Sequence, residues 1–225
     1  MYGIVDAGTI AGSPFLQSCL DDEKGVHLLG NMIGRAESTL WIRETKLHPY
    51  AWENKEIIAV ISNFLKKDKS ELKIAIHKSD DKANVLVQMQ DKNASLINLL
   101  KEEENIEKIS KGEISLYWWA TGYIEKHHLV ISERDVCMEV HYSGSEHRCG
   151  VADFFLDDKF EVERCKEAYK ASMSGIHEND KFEIFASRDL IQFLQNISKE
   201  EDVSRKQSLG DYRPAQVSFR SKTSS

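Results

Sequence analysis

The sequence predicts an α/β protein, one domain built on a mixed, largely parallel sheet flanked by helices. Three observations carry this. Apolar residues recur at helical spacing in some segments and alternate in others. The two kinds of segment interleave through the first half of the chain, and two strand-like segments follow each other directly near its middle. With 225 residues, 41% of them apolar, the chain fills one ordinary core and no second independent domain is expected.

Residues 1–24 read as an amino-terminal arm, with Gly3, Gly8 and Gly12 among small residues. From Gly25 to Glu37, Val26, Leu29, Met32 and Ile33 recur at helical spacing, and Thr39 to Thr45 then alternates as a strand. His48-Pro49 marks a turn, because the proline ring fixes its own φ and pushes the residue before it out of the helical region. A helix follows from about Asn54 to Lys66, with Ile57, Ile58, Ile61, Phe64 and Leu65 as its apolar stripe. Lys66, Lys67 and Lys69 stand near its end, where the helix dipole favours cations.

Leu72 to His77 is the next strand and completes a β-α-β unit, which implies two parallel neighbouring strands joined by a right-handed crossover. The order repeats with a helix from Asn93 to Glu104 and a strand from Glu113 to Trp119. Beyond Gly122, His127–Ser132 and Val136–Tyr142, separated by Glu133-Arg134-Asp135, read as a hairpin. A loop with Gly144 and Gly150 leads to the short apolar segment Val151–Leu156, a helix from Lys159 to Met173, an edge strand from Lys181 to Phe185 and a helix capped by Ser187. The domain is expected to span residues 25–198. Residues 199–225, polar and rich in Ser, Lys and Arg, read as a flexible tail or an arm that orders on a protein partner.

The 30 Lys and Arg against 37 Asp and Glu leave a formal charge of −7, so nothing global attracts nucleic acid or an anionic membrane, although a local basic patch stays open. Cys19, Cys137, Cys149 and Cys165 stand far apart and read as free buried thiols. The first 18 residues lack a basic start followed by a long apolar stretch, and no run reaches the roughly 18 apolar residues of a spanning helix. Together these place the protein in the cytoplasm.

Several residues offer chemistry. His127 and His128 open an apolar strand, and alternation sends them to opposite faces. One then points to a cleft at the strand end, where open α/β sheets hold ligands, or both are merely structural or exposed. In the loop Ser143–Gly150, Ser145, His147 and Arg148 offer donors to an anion, while a hairpin exit needing glycine explains the same letters without function. Alternation puts Cys137, Glu139 and His141 on one strand face, opposite Val136, Met138, Val140 and Tyr142, which form the core side. With His147 and Cys149 they are zinc ligands in type, but their spacings differ from familiar fingers and no metal is assigned. Tyr117, Trp118, Trp119 and Tyr123 either stack a base or fill core.

From about Arg35 to Met173 the order is strand, His-Pro turn, helix, strand, helix, strand, a histidine leading a hairpin, a glycine loop, Ala-Asp-Phe-Phe and a helix. This resembles one half of a phospholipase D-type protein. That family's HKD motif is a histidine, any residue, a lysine, four residues and an aspartate; the histidine attacks phosphorus and the lysine stabilises the phosphoryl oxygens. His128 and Asp135 have this spacing, but Val130 occupies the lysine place; starting from His127, the corresponding residues are Leu129 and Arg134.

The resemblance implies His128 and Asp135 at catalytic positions, with His127, Ser145, His147 and Arg148 about the phosphate and neither metal nor other cofactor. Family members bring two such motifs together, so it also implies a homodimer with His128 of each subunit near the axis. Valine cannot hold charge on a phosphoryl group, and one such electrostatic contact is commonly worth about 10²–10³ in rate. Two readings follow: a protein that hydrolyses or binds a phosphodiester, of nucleic acid or a lipid headgroup, or a pseudoenzyme that regulates through a protein partner.

Overall fold

The computed structural model describes residues 15–19, 22–44, 49–77, 82–120, 128–140, 151–173 and 181–210. Its strands are β1 (Phe15–Cys19), β2 (Thr39–Glu44), β3 (Glu71–His77), β4 (Ile114–Ala120), β5 (His128–Ser132), β6 (Val136–Val140), β7 (Val151–Leu156) and β8 (Lys181–Ile184). Its helices are α1 (Asp22–Arg35), α2 (Pro49–Trp52), α3 (Lys55–Leu65), α4 (Lys82–Lys92), α5 (Ala94–Leu100), α6 (Glu103–Lys111), α7 (Lys159–Met173) and α8 (Ser187–Gly210).

The strands form one sheet in the order β1-β7-β6-β5-β2-β3-β4-β8. β2, β3 and β4 are parallel neighbours, as two successive β-α-β units require, and the remaining pairs are antiparallel. Strands β1, β2, β3, β4 and β6 therefore point one way and β5, β7 and β8 the other. The mixed α/β architecture expected from the interleaved periodicities is present, with the hairpin β5–β6 added beside β2.

Both faces of the sheet are covered. On one, Leu40, Ile42, Leu72, Ile74, Leu116 and Val130 are buried with Ile33, Ile57, Ile61, Leu96, Ile109 and Leu194 from the helices. On the other, Trp41, Ala75, Leu129, Ile131, Val136 and Met138 are buried under Val162, Cys165 and Tyr169 of α7. This corrects one expectation. Cys137 does not face outward beside polar neighbours, because the second sheet face is also roofed by helices; it is buried with Val130 and Phe154, while Val136 and Met138 serve the α7 side. Cys137 and Cys165 are the buried free thiols expected of them.

Four other details differ from the linear reading. Residues 15–19, inside the stretch assigned to an arm, form edge strand β1 against β7. Helix α4 occupies residues whose mixed pattern gave no periodic signal. The helix expected from Asn93 to Glu104 is two, α5 and α6. They are separated where the buried Asn105 side chain donates to the carbonyl of Leu99 at 2.8 Å, a group freed by the end of α5. The boundary expected at residue 199 falls inside α8, whose sequence contains neither proline nor glycine before Gly210.

Helix α6 ends on Gly112, at φ 77°, with nothing within 4 Å of the place a Cβ would take. Only backbone strain opposes a side chain there. Gly112→Ala should cost about 1 kcal/mol, a fall in Tm of roughly 2–4 °C for a domain of this size, and thermal unfolding checks it. An unchanged Tm would show that this turn tolerates a left-handed alanine.

Candidate functional site

His128 is the first residue of β5. It sits in register with Glu44, the last residue of β2, and with Glu139 of β6. The same row runs on through Ala152 of β7 and Ile76 of β3. Strands β2, β3, β4 and β6 all finish at this end of the sheet, where β5 and β7 begin. Carboxyl ends of parallel strands meet ligands in open α/β sheets because the crossover connections splay apart there.

Val140 and Val151, which flank residues 141–150 in the sequence, are paired in register at this same end. That segment carries Ser145, His147 and Arg148, and His127 immediately precedes β5. These four residues lie outside the described ones, as do His141 and Cys149 of the zinc-like set. Among the described residues no group of three or more His, Cys, Asp or Glu stands together as a metal site.

Val130 lies two residues into β5 from His128, paired with Ile42 and Cys137. It is wholly buried, as are its two partners, on the face covered by helices. The position that the motif gives to a lysine is thus a packed apolar position in the core.

The structure does not bring Asp135 to His128. Five strand residues from His128 to Ser132, at about 3.3 Å each, put the two at opposite ends of β5, so roughly 13 Å of strand separates them. Asp135 is buried in the β5–β6 turn, with its backbone N–H donating to Ser132 Oγ at 2.9 Å and its carbonyl accepting from the Ser132 N–H at 2.8 Å. Its Oδ1 accepts from the Asp157 backbone N–H at 2.9 Å and lies 3.5 Å from Arg35 Nη2. Its Oδ2 is buried without a hydrogen-bond partner.

Asp157 bridges two arginines, Arg35 Nη2 at 2.6 Å on one oxygen and Arg134 Nε and Nη2 at 3.0 and 2.6 Å on the other. Burial pushes the Asp135 carboxyl above the ordinary carboxylate value, and this outweighs the Asp157 N–H and the Arg35 charge. Burial also opposes ionisation of Asp157, but there Arg134 and Arg35 prevail and hold it below that value. Close by, Glu133 accepts from the backbone N–H groups of Glu37, Ser38 and Thr39, tying the same turn to the start of β2. Asp135 therefore belongs to a clasp joining the β5–β6 turn to α1, β2 and the exit of β7.

Of the expected aromatic cluster, Tyr117 is half-buried on the α7 side of β4. A groove of about 610 Å³ between α6 and α8, lined by Ser110, Ser187, Arg188, Gln192 and Lys199, lies where β4 begins, away from His128. Sequence reading missed both the clasp and this groove. The clasp had one signal, the acidic and basic residues crowded into Glu133-Arg134-Asp135 and Asp157-Asp158.

Neither a family model nor a curated protein matches the chain. Among solved structures with a related course of the chain are TrmBL2, an archaeal chromatin protein whose structure shows a novel mode of DNA binding, and phosphatidylserine synthase from Haemophilus influenzae Rd KW20. TrmBL2 is 15% identical over 69% of this chain and 50% of its own, with a TM-score of 0.45. The synthase is 12% identical over 88% and 46%, with a TM-score of 0.48. NucT from Helicobacter pylori is 13% identical over 70% and 93%, with a TM-score of 0.42. The chain spans about half the length of the first two, and at these identities none of the three lends its activity to it. No helix among the described residues is long and apolar enough to cross a membrane.

Proposed function

We propose that the chain is a phospholipase D-like protein that binds a phosphodiester through the His128 end of its sheet without hydrolysing it. The observation that carries this is Val130. It fills the motif's lysine place and is wholly buried between Ile42 and Cys137, so no ammonium stands there to hold the charge that phosphoryl transfer develops.

The binding surface comprises His128 with His127, Ser145, His147 and Arg148, whose imidazole, hydroxyl and guanidinium groups suit a phosphate. Two copies joined about a two-fold axis would present this end twice, the arrangement that the family resemblance favours. The ligand class is a phosphodiester, and the choice between nucleic acid and lipid headgroup is left to the binding assay.

Two measurements test it. Wild type should turn over bis(p-nitrophenyl) phosphate no faster than His128→Ala. In calorimetry, a dinucleoside monophosphate or glycerophosphodiester should bind wild type and bind His128→Ala about tenfold more weakly, the worth of one charge-assisted hydrogen bond. Turnover that disappears with His128→Ala would sink the non-hydrolytic reading.

A further inference from the structure

The α7 side of the sheet holds a second concentration of charge, separate from the His128 end. Trp41, in the middle of β2, is buried and donates its indole N–H to Glu71 Oε2 at 2.8 Å. Tyr169 packs against it with ring centroids 5.2 Å apart, and the Tyr169 hydroxyl donates to the carbonyl of Ile42 at 3.4 Å. The indole is therefore fixed on three sides by β2, β3 and α7.

Three ammonium groups gather round this one ring. Lys73 Nζ lies 4.5 Å from its centroid, Lys166 Nζ 6.0 Å and Lys170 Nζ 5.9 Å. Lys73 comes from β3, next to Trp41 in register, and the other two stand one turn apart on α7. The carboxylate beside them, Glu71, is engaged by Lys73 at 2.8 Å and by the indole. Among the described residues, Lys166 and Lys170 make no ion pair, although Glu163 and Glu167 are on the same helix. Tyr117 and Ser115 of β4 continue the surface beyond Lys73.

An indole face attracts cations by its quadrupole, and this draws the three lysines together against their mutual repulsion. The outcome is a fixed cluster with a local excess of positive charge on a chain of formal charge −7. Trp41 itself is only 5% exposed, so it offers no platform for stacking a base. What the cluster presents is charge, which suits the backbone of a strand and not its bases.

We infer that Lys73, Lys166 and Lys170, held about Trp41, form a binding surface for the phosphate backbone of single-stranded nucleic acid, read without regard to sequence. This surface is distinct from the His128 end. It lies on the opposite side of the sheet from Val130 and requires no chemistry at the motif.

The test uses the full chain and a short, fluorescently labelled single-stranded oligodeoxynucleotide of mixed sequence, titrated by anisotropy over a range of salt. Wild type should bind with affinity falling as salt rises. The variant K166A/K170A should bind roughly tenfold more weakly, with its log–log salt slope reduced by about 1.4, at about 0.7 for each phosphate that is no longer neutralised. Alanine suits a helix, so α7 should persist, and K166R/K170R should restore the slope. K55A, on α3 and outside this surface, should leave the slope unchanged, and K166A/K170A should bind a glycerophosphodiester as wild type does, which separates failure here from failure of the phosphodiester reading above.

A second readout does not depend on any variant folding. Added oligonucleotide should protect Lys73, Lys166 and Lys170 of wild type from acetylation while leaving exposed Lys55 reactive. Wild-type affinity and slope in K166A/K170A would overturn the inference. So would absence of oligonucleotide binding by wild type, including the case in which these lysines bind phosphatidylserine vesicles instead.

Discussion

Val130→Lys should unfold the protein or leave it barely stable, and it should not create a phosphodiesterase. Val130 is completely buried, paired with Ile42 and Cys137 and roofed by the larger core cluster. A lysine there adds side-chain volume to a filled site, at about 1–3 kcal/mol, and buries an unpaired ammonium, at several kcal/mol more. A total of about 4 kcal/mol or more is a large part of the roughly 5–15 kcal/mol by which domains are usually stable. Urea unfolding, with turnover of bis(p-nitrophenyl) phosphate followed in parallel, checks both halves. A Val130→Lys variant of near wild-type stability that hydrolyses the ester would mean that the site opens readily, and the non-hydrolytic reading would fall.

Asp135→Ala should destabilise the fold by about 2–3 kcal/mol. The substitution strips the half-buried Asp157 N–H of its acceptor and Arg35 of one counter-charge, and hydrogen bonds to charged groups are worth about 1.5–3 kcal/mol. Asp135→Asn, which keeps an acceptor oxygen, should lose less. Arg35 and Asp157 remain joined at 2.6 Å in either variant, so the clasp should loosen without disappearing.

The pH dependence of the two aspartates runs in opposite senses. Burial raises Asp135, so its stabilising contribution is fully present below the ordinary value of 3.8 and is lost as pH rises through its raised value. Asp157 is held below 3.8 by Arg134 and Arg35 against the effect of burial; its contribution is present above that value and is lost as pH falls through its lowered one. Asp135→Asn should therefore cost most at the acid end of a series from about pH 3 to pH 7, and Asp157→Asn most at the neutral end. Urea midpoints across that range decide it. Parallel pH profiles for the two variants would contradict the assigned directions.

Much of the architecture was legible because period-two and period-3.6 patterns are local. Leu40 and Ile42 against Trp41, or Ile57, Ile61 and Phe64 along one helix stripe, declare their elements without help from distant residues. Strand β1 was not, since Phe15-Leu-Gln-Ser-Cys19 has no strict alternation and becomes a strand by pairing with β7, more than a hundred residues away in the chain. The spacing of His128 and Asp135 was legible as a motif, yet the strand between them already implied separation along its length.

By itself, then, the sequence determined the order of most elements from β2 onward, the placing of the two histidines at the start of a strand, and the substitution of valine in the lysine place. Only the tertiary structure decided that Val130 is sealed under helices, that Asp135 clasps a turn through Asp157 and Arg35, and that lysines from β3 and α7 meet at one indole. The physical reason is that periodicity fixes which side of an element is apolar. Which element covers that side, and which distant charges are brought together, depends on sheet order and packing, through contacts such as Tyr169 on Ile42 that no local pattern records.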